Sequence, residues 1–402
     1  MRFLLFVLSL LMMFLLQGRF PALAQELVRL LPSETALTPA QSEQMKSIAE
    51  LPSTEGVWLV EVDLSRIRGS ATVVIALADG KSVTLTGDEK VPVATSDFAW
   101  SGESASSNSG EPSDWAEATI TVEGDRIAAT IRTANELYRI QPIGEGLHAL
   151  IKVSDEKLPS DHGQLRRDRT SIERNVRTED LRAKSDKANA VLDVLVLVTG
   201  RAANGIGSSN LQIFAKNAAD AANRSFANSG IRARIQLTSV RRVEYTEAAS
   251  LETDTSRLAG RSDGYMDGIH AIRDRENADL VVLLSANNSA CGWSHKVYAS
   301  ANSAFASVYF DCAVNNLSFA HEIGHLLGAC HNPEVSTGCP FAYGHGFLKP
   351  ARRERTVMAY PCPQVKCIRR AQWSRPSNWG TARKHHAARV IDETAPRASN
   401  FR

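Results

Sequence analysis

The amino-acid sequence predicts an all-β domain followed by an α/β (α+β) domain built on a twisted mixed sheet. The first observation is a period-two alternation of apolar and polar residues from 56 to about 153, interrupted by turn signals. The second is a change of pattern after residue 190, where continuous apolar runs alternate with segments of helical spacing. The third is the length of 402 residues, which exceeds one typical domain and favours two.

The first 24 residues predict a signal peptide. Arg2 supplies a positive start, residues 3–16 form an apolar run, and residues 22–24 (Ala-Leu-Ala) make a small-residue cleavage signal. A membrane anchor is the alternative, but an apolar run of about 14 residues is shorter than the roughly 20 that span a bilayer. We therefore expect an exported chain without stable membrane association, secreted outside the cell or into the periplasm.

Residues 25–160 are expected to form the all-β domain. Its clearest strands are predicted at 57–62, 71–78 and 118–122, and turn signals follow the last two. A Ser- and Gly-rich stretch at 101–113 predicts a long surface loop. The domain contains no cysteine and no clustered metal-ligand residues, so the chemistry of the protein is expected elsewhere.

Residues 161–190 predict a solvated linker, because charged residues crowd together there with few large apolar ones. A segment of this kind is open to proteolysis and suits a processing region. An exposed charged helix is the alternative.

Residues 191–402 are expected to form the α/β domain. The continuous apolar, β-branched run at 191–199 suits a buried strand. The other predicted elements are helices at 210–228 and 265–275, strands at 231–243 and 278–285, and a shorter strand at 303–310 that suits a sheet edge.

The charge balance excludes some partners. The chain has 46 Lys and Arg against 44 Asp and Glu, a net charge of +2. No basic face for nucleic acid or for a membrane surface is therefore expected. The sequence leaves calcium dependence and the oligomeric state open.

All six cysteines lie in the last third of the chain, and an even number in an exported protein favours disulfides. Six cysteines allow 15 connectivities. We predict nearest-neighbour pairs, since each closes a modest loop. A cysteine-based zinc site is the alternative, but no C-x-x-C spacing supports it. The predicted pairs are Cys291–Cys312, Cys330–Cys339 and Cys362–Cys367.

The strongest signal is the segment 321–331, which fits H-E-x-x-H-x-x-G-x-x-H at every defined position. His321 and His325 stand one helical turn apart on one face, so both imidazoles can bind one ion, for which zinc is suited. A continuing helix would carry His331 about 9 Å further along the axis. Gly328 can take a positive φ and turn the chain, which brings His331 back as the third ligand.

Glu322 lies beside the first predicted ligand and is the expected general base. Three histidines leave one zinc position open for water, and a carboxylate there can accept the proton of that polarised water. The predicted reaction is amide hydrolysis, with Glu322 passing the proton to the leaving amine. Histidines that serve only structure, and a zinc-binding protein without turnover, are the alternatives. The second alternative would require the loss of Glu322, which is present.

These residues resemble the metzincin metallopeptidases, whose second mark is a methionine-containing turn after the zinc helix. Residues 356–360 (Thr-Val-Met-Ala-Tyr) supply it. The resemblance implies that Met358 lies under the three ligands as an apolar base without binding metal. It also implies that Tyr360 approaches the metal or steadies the oxyanion, with core packing as the alternative.

The segments 291–332, 343–347, 357–362 and 388–395 further resemble the reprolysin-like bacterial peptidyl-Asp metalloendopeptidases, over roughly the last 210 residues. The resemblance implies cleavage on the amino side of Asp. The family usually has Asp where this chain has Asn332, and the stretch 368–374, which borders the pocket for the residue after the cut bond, also diverges. Arg369 or Arg370 can pair with a substrate carboxylate, with solvated arginines as the alternative. His345, between two glycines, is expected to be a turn residue.

The predicted function is a secreted zinc endopeptidase acting on proteins or peptides, made as a zymogen. The cysteine-free region 25–190 is the candidate propeptide, and a carboxylate, a histidine such as His162, or steric cover can block the site. Two other functions stay open. One is an extracellular adhesion or binding protein with an auxiliary zinc domain, and the other is an amidase acting on cell-wall peptides.

Overall fold

The computed structural model describes residues 26–87, 96–104, 115–161, 189–336 and 338–402. The predicted signal peptide, most of the predicted linker with His162, and most of the predicted surface loop lie outside the described residues. Within the described part of the chain, no helix is long and apolar enough to cross a membrane.

The amino-terminal region is a closed β-barrel, which confirms the predicted all-β domain. Neighbouring strands pair antiparallel except where the first and third close the barrel in parallel. Alternate side chains fill its interior, with Ile120, Ile131 and Leu150 fully buried. Around the barrel the strand order is β1-β2-β9-β8-β7-β6-β5-β4-β3. The strands are β1 (Glu26–Leu30), β2 (Thr54–Val62), β3 (Thr72–Ala76), β4 (Ser82–Gly87), β5 (Phe98–Glu103), β6 (Ala116–Glu123), β7 (Arg126–Thr133), β8 (Leu137–Gly144) and β9 (Leu147–Val153).

One helix precedes the second barrel strand. Helix α1 (Pro39–Ala49) begins with a capping box, in which the Thr38 hydroxyl accepts from the Gln41 backbone and the Gln41 side chain accepts from Thr38 N–H. Pro39 at the first helical position suits that start because it has no N–H to satisfy.

The second region combines helices with a five-stranded mixed sheet of order β11-β10-β12-β14-β13. Its first four strands run parallel, and the last pairs antiparallel at the edge. The strands are β10 (Val191–Thr199), β11 (Arg234–Val243), β12 (Leu280–Ser285), β13 (Gly292–Ser294) and β14 (Phe305–Tyr309). The helices are α2 (Gly200–Ile206), α3 (Leu211–Asn228), α4 (Leu251–Ala259), α5 (Ile269–Arg275), α6 (Phe310–Asn315), α7 (Ser318–Leu327) and α8 (Ala387–Ala398). A small sheet joins β15 (Leu348–Lys349), β16 (Glu354–Arg355) and β17 (Ile368–Arg369).

The sheet edge was predicted wrongly. Strand β14, within the predicted strand 303–310, lies between β12 and β13, and β13 forms the edge. Strand β13 has three residues and a glycine start, so it offers too few alternating positions for a sequence pattern to reveal it. The edge strand runs beside helix α7, which contains the first two histidines of the motif.

The barrel packs on the mixed domain through a buried polar interface. Helix α3 lies against β6 and β7, where Asn217 donates to Thr121 Oγ1 and Ala128 O at 3.1 Å each. Arg139 of β8 donates to Asp311 of α6 at 2.6 Å, and both side chains are at most 3% exposed. The two regions are therefore held by specific hydrogen bonds as well as by apolar contact.

The three predicted disulfides are confirmed as Cys291–Cys312, Cys330–Cys339 and Cys362–Cys367. They tie the start of β13 to α6, the end of the motif to the following loop, and the segment before β17 to the turn that precedes it.

The first and last residues of the predicted linker, Asp161 and Ala190, are buried. The reason is that Asp161 has arginine partners distant in sequence, which local composition does not show. The loop prediction is wrong at its start, because residues 101–103 belong to strand β5.

Candidate metal centre

Helix α7 places the first two histidines of the motif. All ten of its residues are buried, so the imidazoles lie in the interior. His321 and His325 stand one turn apart, and their Nε2 atoms are 3.1 Å apart.

Gly328 ends this helix and directs the third histidine to the same point. It has a φ of +105°, and the next residue, Ala329, donates its N–H back to Gly324 O at 2.9 Å. This left-handed ending is one that glycine adopts without strain. The turn brings His331 Nε2 to 2.9 Å from His325 Nε2 and 3.2 Å from His321 Nε2.

Backbone carbonyls set the orientation of two of the rings. His321 Nδ1 lies 2.8 Å from Val357 O, and His325 Nδ1 lies 2.8 Å from Ala329 O. Because a carbonyl can only accept, each Nδ1 must carry the proton, which leaves each Nε2 with a lone pair. The lone pairs of these two Nε2 atoms, 3.1 Å apart, repel each other unless a cation lies between them.

The spacing fits a tetrahedral metal ion. Zinc bonds of about 2.05 Å in tetrahedral geometry place ligand nitrogens roughly 3.3 Å apart. The observed separations of 2.9–3.2 Å are close to this value. Within the described residues these three histidines are the cluster whose ligand atoms could share one ion.

The Glu322 side chain extends from helix α7 to the edge strand β13. It is fully buried, and Ser294 of β13 donates its hydroxyl to Glu322 Oε2 at 2.7 Å. A Cβ on Gly292 would come within 2.3 Å of Glu322 Oε1, so the absence of a side chain at Gly292 makes room for the carboxylate. The predicted general base thus sits beside the backbone of the sheet edge.

The methionine turn lies against the helix that carries the first two histidines. Met358 is fully buried, and the Val357 carbonyl that orients His321 comes from the same turn. A Cβ on Gly324 would lie 2.8 Å from Met358 Sδ and 2.6 Å from Trp373 Cη2. The helix and the turn therefore pack so closely at Gly324 that no methyl group fits between them.

Tyr360 and Asn332 connect the turn to the third histidine. The Tyr360 ring centroid lies 4.2 Å from that of His331. Asn332 Oδ1 accepts from Tyr360 N–H at 3.0 Å, and its Nδ2 donates to Glu334 at 2.8 Å. An asparagine at this position therefore bridges two segments by using both halves of its amide.

His345 contacts the backbone of the third histidine. Its Nδ1 donates to His331 O at 2.7 Å, and its backbone N–H donates to Lys384 O at 3.3 Å. Burial lowers the pKa of His345 below its usual range. His345 follows the turn at residues 342–343 and forms an isolated β-bridge with Cys330, so it is not itself a turn residue.

A second polar cluster lies next to the methionine turn, and the sequence revealed only one of its members. The Asp161 carboxylate accepts from Arg369 Nη2 at 2.7 Å, from Arg355 Nη1 at 3.0 Å and from Asn316 Nδ2 at 2.9 Å. Both guanidinium groups also donate to Ala359 O, between Met358 and Tyr360. We call Asn316, Arg355 and Arg369 the carboxylate pocket.

Of the two arginines proposed from the sequence, Arg369 belongs to this pocket and Arg370 does not. Arg370 pairs with Glu117 of the barrel and with Glu354. Arg369 is 2% exposed, so a solvated role for it is wrong. Burial, with the neighbouring charge of Arg355, lowers the pKa of Arg369 to about 10. Arg355 and Asn316 had no spacing that could have identified them.

Three converging histidines, a buried carboxylate beside them and a methionine turn against their helix together suit metal-dependent hydrolysis of an amide. They indicate that the class of protein is a metalloendopeptidase. Residues 188–371 match the Reprolysin_5 model of the metallopeptidase family M12. The peptidyl-Asp metalloendopeptidase of Xanthomonas campestris pv. campestris is 31% identical over 391 residues, which cover 92% of each chain. That of Stenotrophomonas maltophilia K279a is 32% identical over 392 residues, 90% of each chain. The chain therefore belongs to the family of peptidyl-Asp metalloendopeptidases.

Proposed function

We propose that this endopeptidase uses one zinc ion held by His321, His325 and His331, with Glu322 as general base. The supporting observation is the triangle of three Nε2 atoms, 2.9–3.2 Å apart, in a buried site. Zinc bound there supplies Lewis acidity, which acidifies water and polarises the scissile carbonyl.

The remaining steps belong to the protein. Glu322 takes a proton from the attacking water and delivers it to the leaving amine, while the Ser294 hydroxyl holds its Oε2 in place. Tyr360, whose ring packs against His331, is placed to steady the developing oxyanion. Met358 supports the ligands from below as a buried apolar base.

Replacement of the general base tests this assignment. Glu322→Gln is expected to lower kcat on a protein substrate by about 10²–10⁴-fold, because proton transfer is lost. Zinc content per chain, measured by atomic absorption, should stay near that of the wild type because no ligand changes. A variant that keeps full activity would exclude Glu322 as the base, and a wild type without stoichiometric zinc would exclude the metal assignment.

We also propose the domain division and the zymogen form. Residues 1–24 are a signal peptide for secretion, 25–160 an all-β propeptide, 161–190 a processing linker and 191–402 a metzincin-type catalytic domain. The polar interface between the barrel and the catalytic domain supports a propeptide that folds with its enzyme. Mass spectrometry of secreted protein tests this, since mature enzyme should begin near residue 190. An uncut full-length chain with full activity would remove the zymogen proposal.

The preferred substrate is proposed to have Asp after the cut bond. The relatives are named for peptidyl-Asp cleavage, and the carboxylate pocket offers two buried guanidinium groups and an amide next to the methionine turn. Peptides that differ only in Asp, Asn or Leu at that position are the test. We expect kcat/KM for Asp to exceed that for Asn by about 100-fold, because the site loses its charged partner. A preference for Leu would contradict the proposal.

A further inference from the structure

We propose that Asp161 is an internal substrate mimic, which occupies the carboxylate pocket of the uncut chain and keeps the enzyme latent. The inference rests on the proposed function, because it assigns the latency of that zymogen to one side chain.

The position of the segment before the linker is the first support. Cys291 N–H donates to Ser160 O at 2.8 Å, and Gly292 N–H donates to Asp161 O at 3.2 Å. Gly292 begins the edge strand and adjoins Glu322. A peptide substrate is expected to bind by pairing with a sheet edge, so Ser160 and Asp161 take backbone donors that a substrate needs.

The chemistry of the pocket is the second support. The side chains of Asp161, Arg355 and Arg369 are each at most 3% exposed, and the Asp161 carboxylate accepts from three pocket side chains. If Asp161 left, two buried guanidinium groups would lose their counter-charge, which is costly in a poorly solvated site. The pocket is therefore built for an anion, and the carboxylate of a substrate Asp is the group that would replace Asp161.

Specificity and latency then depend on the same atoms. One carboxylate can occupy the pocket at a time, so Asp161 competes directly with a substrate Asp. Its local concentration is high because the barrel, tied to the catalytic domain by the pairs Arg139–Asp311 and Glu117–Arg370, holds it there. Cleavage of the linker lowers this advantage once the barrel can depart.

The test compares uncut full-length proteins loaded with zinc. Initial rates on an Asp-containing fluorogenic peptide are measured while electrophoresis verifies that the chain is intact. Asp161→Asn is expected to raise the rate at least about tenfold, because a neutral amide binds two guanidinium groups less well. Glu156→Gln is the matched control, since Glu156 is 73% exposed and pairs with Lys366 on the surface. It should stay as latent as the wild type. An Asp161→Asn protein that melts cooperatively yet is as latent as the wild type would overturn the inference.

A second measurement applies if the Asp161→Asn chain does not fold. Wild-type protein cut in the linker is assayed with an added peptide of residues 156–161, and with the same peptide carrying Asp161→Asn. The Asp peptide should raise KM without changing kcat, at least about tenfold more strongly than the Asn peptide. Equal inhibition by both peptides would overturn the inference, as would a mature chain that begins at Asp161, since Ser160–Asp161 would then be a substrate bond.

The two proposals fail in different ways. Cut wild-type protein that binds zinc but cleaves nothing would refute the proposed function, and the inference with it. Active cut protein with an unchanged latency of the folded Asp161→Asn chain would refute the inference alone.

Discussion

The pair Arg139–Asp311 is expected to contribute strongly to the stability of the uncut chain. Arg139 lies on barrel strand β8 and Asp311 on helix α6, and their side chains are 3% and 1% exposed. Changing Arg139 to Met keeps much of the volume but leaves a buried carboxylate, which still accepts from Ser53 and Asn315. Breaking a buried pair costs about 3–5 kcal/mol. Because two donors remain, we expect a loss near the lower end, about 3 kcal/mol.

Urea unfolding in a Glu322→Gln background, which prevents autolysis, measures this loss. The matched control is Arg29→Met, whose partner Glu61 is on the surface, with exposures of 64% and 44%. That change should cost less than about 1 kcal/mol. Adding Asp311→Asn to Arg139→Met removes the unpaired charge and should restore at least about 1 kcal/mol. A loss below about 1 kcal/mol for Arg139→Met alone would refute the reasoning.

Two further predictions concern packing and pH. Gly324→Ala should destabilise the protein by about 1–2 kcal/mol despite better helix propensity, because its Cβ would meet Trp373 at 2.6 Å and Met358 at 2.8 Å. Gly268→Ala, with no atom within 4 Å of the added Cβ, should be neutral or stabilising. Thermal unfolding of both variants measures the difference, and a Gly324→Ala protein as stable as the wild type would contradict the packing argument. Burial lowers the pKa of His148 to about 4, while its Nε2 accepts from Ile127 N–H. The unfolded chain therefore binds the extra proton first, so stability should fall by about 3 kcal/mol between pH 6.5 and 4. His148→Gln should flatten that part of the urea-unfolding profile, and an unchanged slope would contradict the assignment.

Features set by neighbours in sequence could be predicted from the sequence. Strand β10 matches the predicted bounds, and α3 differs from its prediction by one residue, because long periodic patterns reflect burial directly. The disulfides join nearest neighbours, and the histidine motif lies on one helix and its terminal turn. In each case the partners are close along the chain, so their spacing limits the geometry.

The carboxylate pocket and the Asp161 that occupies it could not be predicted as a whole, because these four residues come from four separate segments. Asn316 precedes helix α7, Arg355 and Arg369 lie on neighbouring strands of the small sheet, and Asp161 follows the barrel. Only their meeting in space gives them a function. The charged stretch beginning at Asp161 looked solvated because composition does not distinguish a buried ion pair from a hydrated charge.

The residues proposed for chemistry and those proposed for substrate selection therefore differ in how easily the sequence reveals them. The proposed zinc ligands and the general base belong to one helix and the turn that ends it, so a short motif is enough to indicate them. The atoms proposed for selection require the small sheet, the methionine turn and the segment after the barrel to be in place together. Substitutions in the pocket are therefore expected to change substrate choice and latency jointly while the three histidines keep their metal. A pocket variant that altered one of these two properties and not the other would show that Asp161 and substrate do not share a binding site.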